Sequence, residues 1–238
     1  TMFEAEEFSK KYHLPFYLIE KLGAAYYKYF LAYSPLNKIK MEKLNPKIYT
    51  RIIPNGVSEE AFSQKVKVGN YAFFIGRIDI VQKGLDLLTS ALQKIPKNLG
   101  LKVVIAGNGP KEEEKKLELL IKNKKLENIV SFIGRVDGQK KTNLIANSMF
   151  GIYPSRFEDF PLVPLEFSSH KKPLVCFDIK GLAWGPENVS IKAKPFDVNS
   201  LAKAITLMVT DRKLRSKLIY NTRPFAKRYG WNNITKEY

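Results

Sequence analysis

From Gly69 to Phe177 the chain alternates short, nearly continuous apolar runs with amphipathic stretches, and that alternation restricts its fold more than any other feature. The runs Tyr71–Ile75, Leu101–Ala106, Ile129–Ile133, Phe150–Tyr153 and Leu174–Phe177 have strand length and little polar interruption, as expected of strands covered on both faces. Between them Leu85–Ile95, Pro110–Lys125, Gln139–Ala146 and Pro164–Ser169 read as helices. Leu85, Leu88, Leu92 and Ile95 recur at helical spacing, as do Leu117, Leu120 and Ile121. Strands alternating with helices imply βαβ crossovers and a doubly wound parallel sheet, an α/β fold.

After Phe177 the order loosens into a loop, Asp178–Pro195, with room for a short strand at Val189–Ile191. Two helices follow, Ser200–Val209, with Leu201, Ala204, Ile205 and Met208 on one face, and Lys213 to about Tyr229, ended by Gly230-Trp231. Residues 1–60 differ. Leu14–Tyr33 reads as one aromatic-rich helix, and Ile52-Ile53-Pro54-Asn55-Gly56 as a short strand entering a turn. One helix and one strand cannot build a core, so this region either packs on the main domain or ends a domain that has been cut away.

Composition narrows the setting. Apolar residues make up 45% of the 238, enough for a substantial core. The single cysteine, Cys176, lies in the apolar run Pro173–Phe177, where it is a small core hydrophobe in a reducing compartment. The opening Thr1–Glu7 is acidic where a secretory signal would be basic, and Leu14–Leu36 is interrupted by Glu20, Lys21 and Lys28. That stretch falls short of the ~20 apolar residues of a membrane span. A cytoplasmic chain is expected, with peripheral contact between the Tyr-rich, Lys-bearing Leu14–Tyr33 segment and an anionic membrane left open. Net charge is +17, and residues 61–238 carry nearly all of it, with 31 Lys and Arg against 16 Asp and Glu. Such a field attracts phosphates of any kind, although a Lys-rich solvated surface explains it equally well. The basic residues are scattered and lack an RNA-binding aromatic signature, so no nucleic acid is expected as a partner.

Ligands of parallel sheets sit beyond the carboxyl ends of the strands. Four polar or glycine-bearing segments leave those ends here: Gly76-Arg77 to Lys83-Gly84, Ala106–Pro110, Gly134–Asp137 and Pro154–Phe160. They should converge on one crevice. Arg77 and Lys83 flank a loop that opens a helix, where a guanidinium, an ammonium and free backbone N–H groups suit a diphosphate. Gly107-x-Gly109-Pro110 is a weaker signal, since its glycines could serve only the turn. Pro164 suits the first helical position, which leaves Leu162 and Val163 at the helix mouth and puts Glu166 at N3, where a capping-box glutamate also belongs. Glu158 has no such structural reason and could accept sugar hydroxyls. His13 and His170 are the only histidines, and one cysteine leaves no metal-ligand spacing. His170, before Lys171-Lys172, reads as a surface imidazole.

With these segments in order, the chain resembles the retaining glycosyltransferases of the GT-B fold, family 4, from about Ile52 to Trp231. The resemblance is carried by Ile53–Val57, Gly76-Arg77 with Lys83-Gly84, Ala106–Pro110, Phe132–Val136 and Pro154-Ser155 with Glu158–Glu166, which matches the family's Glu-x7-Glu motif. It implies a Rossmann-like C-terminal half with a helical remnant of the N-terminal domain. Residues 1–55 would end the acceptor domain, 56–222 bind the donor and 223–238 cross back. A nucleotide-diphosphate sugar would be the donor, with no cofactor and no metal, and a further N-terminal domain would hold the acceptor. Arg77, Lys83 and Glu158 would carry the chemistry. Gly76, Gly109, Arg135, Val136, Phe160, Pro161, Leu162, Val163 and Glu166 would complete the donor site, with Glu158 on the sugar and Glu166 on the ribose. Three departures stand out: Asp159 and Pro161 replace glycines of the motif, the Arg77–Lys83 loop is one residue longer, and Lys180–Glu187 replaces a Gly-Gly-x-x-Glu. A sugar-nucleotide sensor without catalysis is the alternative from another class, and a basic nucleic-acid binder is a third.

Overall fold

Each of the apolar runs becomes a strand. A computed structural model of the chain describes Ser9, residues 12–183 and residues 186–237. The backbone divides near Asn55 into two units.

In the unit up to Asn55, helix α1 (Phe16–Ala25) is followed by strand β1 (Tyr29–Ala32), helix α2 (Pro35–Leu44) and strand β2 (Tyr49–Ile52). This corrects the sequence expectation of a single helix over Leu14–Tyr33. The helix stops at Tyr26, and the aromatic residues beyond it pair in a parallel ladder that sets Tyr29 opposite Tyr49. Tyr, Phe and Leu suit a strand at least as well as a helix, and only the second strand decides the matter. The α2 helix, missed in the sequence, begins at Ser34, whose hydroxyl accepts from the Asn37 amide at 3.2 Å, with Pro35 at its first position. A small core of Ala24, Met41 and Ile48 lies beneath, with Phe30 and Leu44 against it.

The unit from Gly56 to Lys236 holds a six-stranded parallel sheet of β3 (Tyr71–Ile75), β4 (Lys102–Ala106), β5 (Val130–Phe132), β6 (Phe150–Tyr153), β7 (Leu174–Phe177) and β8 (Ser190–Ala193). Their order in space is β5-β4-β3-β6-β7-β8. The strand sequence therefore runs outward from β3 in one direction, returns, and continues from β6 in the other. Such a reversal is the topological switch point of a Rossmann-type sheet, where a crevice opens between diverging loops.

Helices α3 (Leu85–Leu92), α4 (Lys111–Asn123), α5 (Gly138–Ala146), α6 (Val163–Ser169), α7 (Val198–Thr210), α8 (Arg212–Lys227) and the short α9 (Trp231–Ile234) complete the unit. By contact, α3 packs with α4 and α7, α6 packs with α5 and α8, and α7 also packs on α8. Strands covered on both sides explain the uninterrupted apolar runs: Phe73, Phe74, Phe150, Phe177, Val175 and Ile105 are fully buried. A second apolar cluster of Val57, Leu165, Val189 and Phe225 joins α6 to α8. Val57 donates to Tyr229 O at 2.8 Å and accepts from the Trp231 amide at 3.2 Å, fastening the start of this unit to its last helices. Among the described residues no helix is long and apolar enough to cross a membrane.

Candidate functional site

The loop after β3 and the loop after β6 leave the sheet at the switch point, and an ion pair joins them. Lys83 Nζ donates to Glu158 Oε1 at 2.5 Å, with the two side chains only 12% and 11% exposed. The ammonium also lies 5.6 Å from the centre of the Tyr153 ring. Burial pushes the Tyr153 phenol well above its usual value, and the nearby Glu158 carboxylate adds to the effect. The phenol is thus a neutral wall of the site.

Local geometry brings these side chains together. Gly84 has φ +64°, and a Cβ there would lie 2.0 Å from Pro154 O. Only glycine allows the β3 loop both to turn left-handed into α3 and to touch the β6 loop. The Arg156 amide donates to Gln82 O at 2.8 Å, a second tie between the same loops.

Beside the pair opens a cleft of about 720 Å³, lined by Gly76, Arg77, Gly109, Arg135, Val136, Lys141, Leu162, Val163 and Glu166, together with Ile75, Gly107, Asn108, Asp137 and Gly138. Three of the four strand-end segments line it, and Leu162, Val163 and Glu166, just beyond the fourth, supply the opposite wall. Hydrogen bonds hold the loops in parallel, from Gly76 N to Ala106 O (3.2 Å), Ile78 N to Asn108 O (2.9 Å) and Gly107 N to Gly134 O (2.9 Å). Glutamates of the first turn of α4 brace them: Glu113 accepts from the Ile80 amide at 2.8 Å, which holds its carboxyl below the usual range, and Glu114 accepts from the Gly109 amide at 3.0 Å.

The residues singled out in the sequence do not all face the cleft. Gly76, Arg77, Gly109, Arg135, Val136, Leu162, Val163 and Glu166 line it, whereas Lys83 and Glu158 face each other next to it. The Gly109 amide is already occupied by Glu114. Phe160 packs against the second apolar cluster, its ring 6.0 Å from that of Tyr229, and Pro161 is buried. Arg77 is 60% exposed and bonds to Gln82 Oε1, with Asp79 at 3.7 Å. Arg135 pairs with Asp137 at 3.4 Å.

Two local expectations change. Helix α6 starts one residue early, with Leu162 as N-cap, Pro164 second and Glu166 a position beyond N3. The Glu166 carboxylate does not turn back to cap the helix. It accepts from Lys141 Nζ at 2.6 Å, so its side chain serves the cleft and not the helix. His170, read as a surface imidazole, is 4% exposed. Its Nδ1 donates to Glu166 O at 2.7 Å, and burial holds its pKa down. Sequence reasoning also passed over Gln82, Lys141 and Asp86. Lys141 carried a faint signal, a lysine on the helix that follows the third strand-end loop. Of the Lys180–Glu187 departure, Trp184 and Gly185 lie outside the described residues.

A parallel sheet of Rossmann order, with a basic, glycine-bearing cleft at its switch point, defines a class of α/β domain that receives ligands at the strand ends. The chain belongs to the glycosyl transferases group 1 family, whose model matches residues 58–225. An uncharacterized glycosyltransferase of Methanocaldococcus jannaschii is 30% identical over 167 residues, covering 69% of this chain and 42% of that protein. Among solved structures, sucrose-phosphate synthase from Thermosynechococcus elongatus superimposes with a TM-score of 0.82 at 22% identity, over 93% of this chain and 59% of that one. Anabaena HepE, solved in complex with UDP and glucose, superimposes with a TM-score of 0.80 at 19% identity, over 95% and 67%. The chain thus has the α/β fold of GT-B glycosyltransferases, and it spans about two fifths of the archaeal relative it matches.

Proposed function

We propose that this chain binds a nucleotide-diphosphate sugar across the β3/β6 switch point and forms the donor-binding half of a retaining, family 4 transferase. The observation that carries the reading is the Lys83–Glu158 pair beside a cleft lined by Arg77, Arg135, Lys141 and Glu166. It sets a phosphate-seeking ammonium and a hydroxyl-seeking carboxylate side by side. Lys83 and Arg77 take the diphosphate. Glu158, released from Lys83, accepts hydroxyls of the transferred sugar. Glu166 accepts from the ribose, Lys141 holds that carboxylate in place, and the backbone at Arg135–Val136 faces the base. Leu162 and Val163 close the cleft on the α6 side.

In transfer, the bond between the anomeric carbon and the diphosphate oxygen breaks, an acceptor hydroxyl oxygen forms the new bond on the same face, and the hydroxyl proton passes to the departing diphosphate. Arg77 and Lys83 stabilise the charge that builds on the departing diphosphate. No metal or cofactor is required in this reading. The acceptor is held by a further domain to which residues 1–55 belong. In support, Tyr29 and Tyr49 are 75% and 64% exposed on a parallel two-stranded sheet, and parallel sheets are ordinarily covered on both faces.

A thermal-shift screen of UDP-, GDP- and ADP-sugars, followed by calorimetry on the best, tests the proposal. A charged hydrogen bond is worth about 1.5–3 kcal/mol, so Lys83→Ala should weaken sugar-nucleotide binding by roughly tenfold to a hundredfold. Binding of none of these donors, or unchanged affinity in the variant, overturns it. A sensor that binds donor without transfer is separated by assaying donor hydrolysis and transfer in the full-length parent. That second reading draws on Pro161, which has no N–H to offer a donor.

A further inference from the structure

Helix α8 and the turns after it carry the most one-sided charge in the chain. From Arg212 to Lys236 there are eight Lys and Arg and no Asp or Glu. Helix α4 makes the contrast. Its Lys111, Lys115, Lys116 and Lys122 alternate with Glu112, Glu113, Glu114 and Glu118, the balanced pattern of an ordinary solvated helix.

The basic residues of α8 divide by what they touch. Arg215 Nη1 donates to Met208 O at 2.6 Å and Val209 O at 2.9 Å, capping the end of α7. Arg223 bonds to Phe62 O, and the Arg228 guanidinium lies 5.2 Å from the Phe225 ring. Those three serve the fold. Lys213, Lys217 and Lys227 are exposed and make no ion pair among the described residues. At 100° per residue they fall, with Tyr220, within about 80° of arc, directly opposite the buried Leu218, Thr222 and Phe225. Tyr220 stands at the centre of this strip and is 82% exposed. The strip runs about 21 Å from Lys213 to Lys227.

We propose that this face of α8 docks on an anionic phospholipid surface. Three long, unpaired lysine stems in a straight row match a plane of phosphates, and a tyrosine at the centre suits the headgroup layer, with its ring in the apolar fringe and its hydroxyl in water. A single-stranded nucleic acid would instead call for several stacking aromatics along a groove, and this convex helix face offers one. The inference does not depend on the donor reading, because none of these residues lines the cleft.

Flotation of the 238-residue chain with phosphatidylcholine vesicles, with and without phosphatidylglycerol, tests the surface. Binding should require phosphatidylglycerol and weaken with salt. A Lys213→Ser/Lys217→Ser/Lys227→Ser variant should bind about a hundredfold more weakly, from the contribution expected of each lysine near an anionic surface. A Lys111→Ser/Lys115→Ser/Lys122→Ser variant loses the same charge from α4 and should keep binding. Three results overturn the proposal: no flotation of the parent chain, equal loss in both variants, or an oligonucleotide complex that depends on the α8 lysines while vesicle binding does not. Thermal unfolding of both variants guards against a folding artefact, and a Lys→Arg triple variant should restore binding.

Discussion

Arg156 grips Asp86 with both arms of its guanidinium, Nη1 to Oδ1 at 2.8 Å and Nη2 to Oδ2 at 2.7 Å. Nη1 also donates to Val81 O. Arg156 lies two residues before Glu158, and Asp86 lies in the first turn of α3, three residues after Lys83. The fork therefore fixes the distance between the two loops that carry the proposed sugar and phosphate contacts.

A lysine cannot reproduce a two-armed grip. Arg156→Lys should leave the fold intact and lower sugar-nucleotide affinity about threefold to tenfold, by loosening Glu158 relative to Lys83. The side chains are 24% and 35% exposed, so solvent screens the pair. A double-mutant cycle of Arg156→Ala and Asp86→Ala in chemical denaturation should then give a coupling of only about 1 kcal/mol. A coupling near zero would mean the fork does not bind the loops together.

Lys83 and Glu158 are paired where little water reaches. Glu158→Gln leaves the ammonium with a weaker acceptor and should cost about 1–3 kcal/mol of stability. It also frees Lys83 for phosphate. Affinity for a plain nucleoside diphosphate should hold or rise, while the extra affinity conferred by the sugar falls. Calorimetry with matched nucleotide and sugar nucleotide reads both changes, and a parallel loss for the two ligands would contradict the assignment.

Gly181 abuts the other side of the same loop. A Cβ at this position would lie 1.8 Å from Glu158 O and 2.5 Å from its carbonyl carbon. Because the obstacle is backbone, the loop itself must move. Gly181→Ala should reduce sugar-nucleotide binding by tenfold or more, as a displacement of about 1 Å can. Its thermal midpoint should fall too, and full affinity in a folded variant would show that Glu158 is not held from this side.

Lys172 is 2% exposed and donates to Lys67 O at 2.5 Å; burial lowers its pKa to about 8. The unfolded chain keeps this lysine charged to its ordinary value near 10.5. Between about pH 8 and pH 10 the unfolded state therefore binds more protons, and stability rises with pH. The window closes near pH 10, where Tyr71, Tyr153 and Tyr229, whose phenols burial holds protonated, begin to favour the unfolded chain. Relative to Lys172→Met, the parent should gain about 1–3 kcal/mol of unfolding free energy across that window in urea titrations. Parallel curves would show that the ammonium is solvated.

Much of this was legible because it is local. The period of apolar residues marked β3 to β7 of the six-stranded sheet to within a residue or two, and the strand-end segments followed from parallel topology. Of the eight cleft residues named from sequence, five lie on those segments and three, Leu162, Val163 and Glu166, at the start of α6. What stayed hidden were partners far apart in the chain. Nothing around Lys141 announces Glu166, 25 residues on, and nothing around Arg156 announces Asp86, 70 residues back. His170 looked like a surface residue because a polar side chain beside lysines ordinarily is one, yet both it and Lys172 are buried.

By itself, then, the sequence determined the parallel α/β sheet and the places where its loops emerge, since backbone pairing and apolar burial follow patterns of two and 3.6 residues that any window of the chain displays. The tertiary structure decided which side chains meet there. It turned the end of the Leu14–Tyr33 segment into a strand, drew Glu166 away from its helix cap to Lys141, and closed Lys83 onto Glu158 across 75 residues. Those outcomes rest on competition among charged and polar groups for partners in a crowded, poorly hydrated space, and that competition is settled only when the loops are already in place.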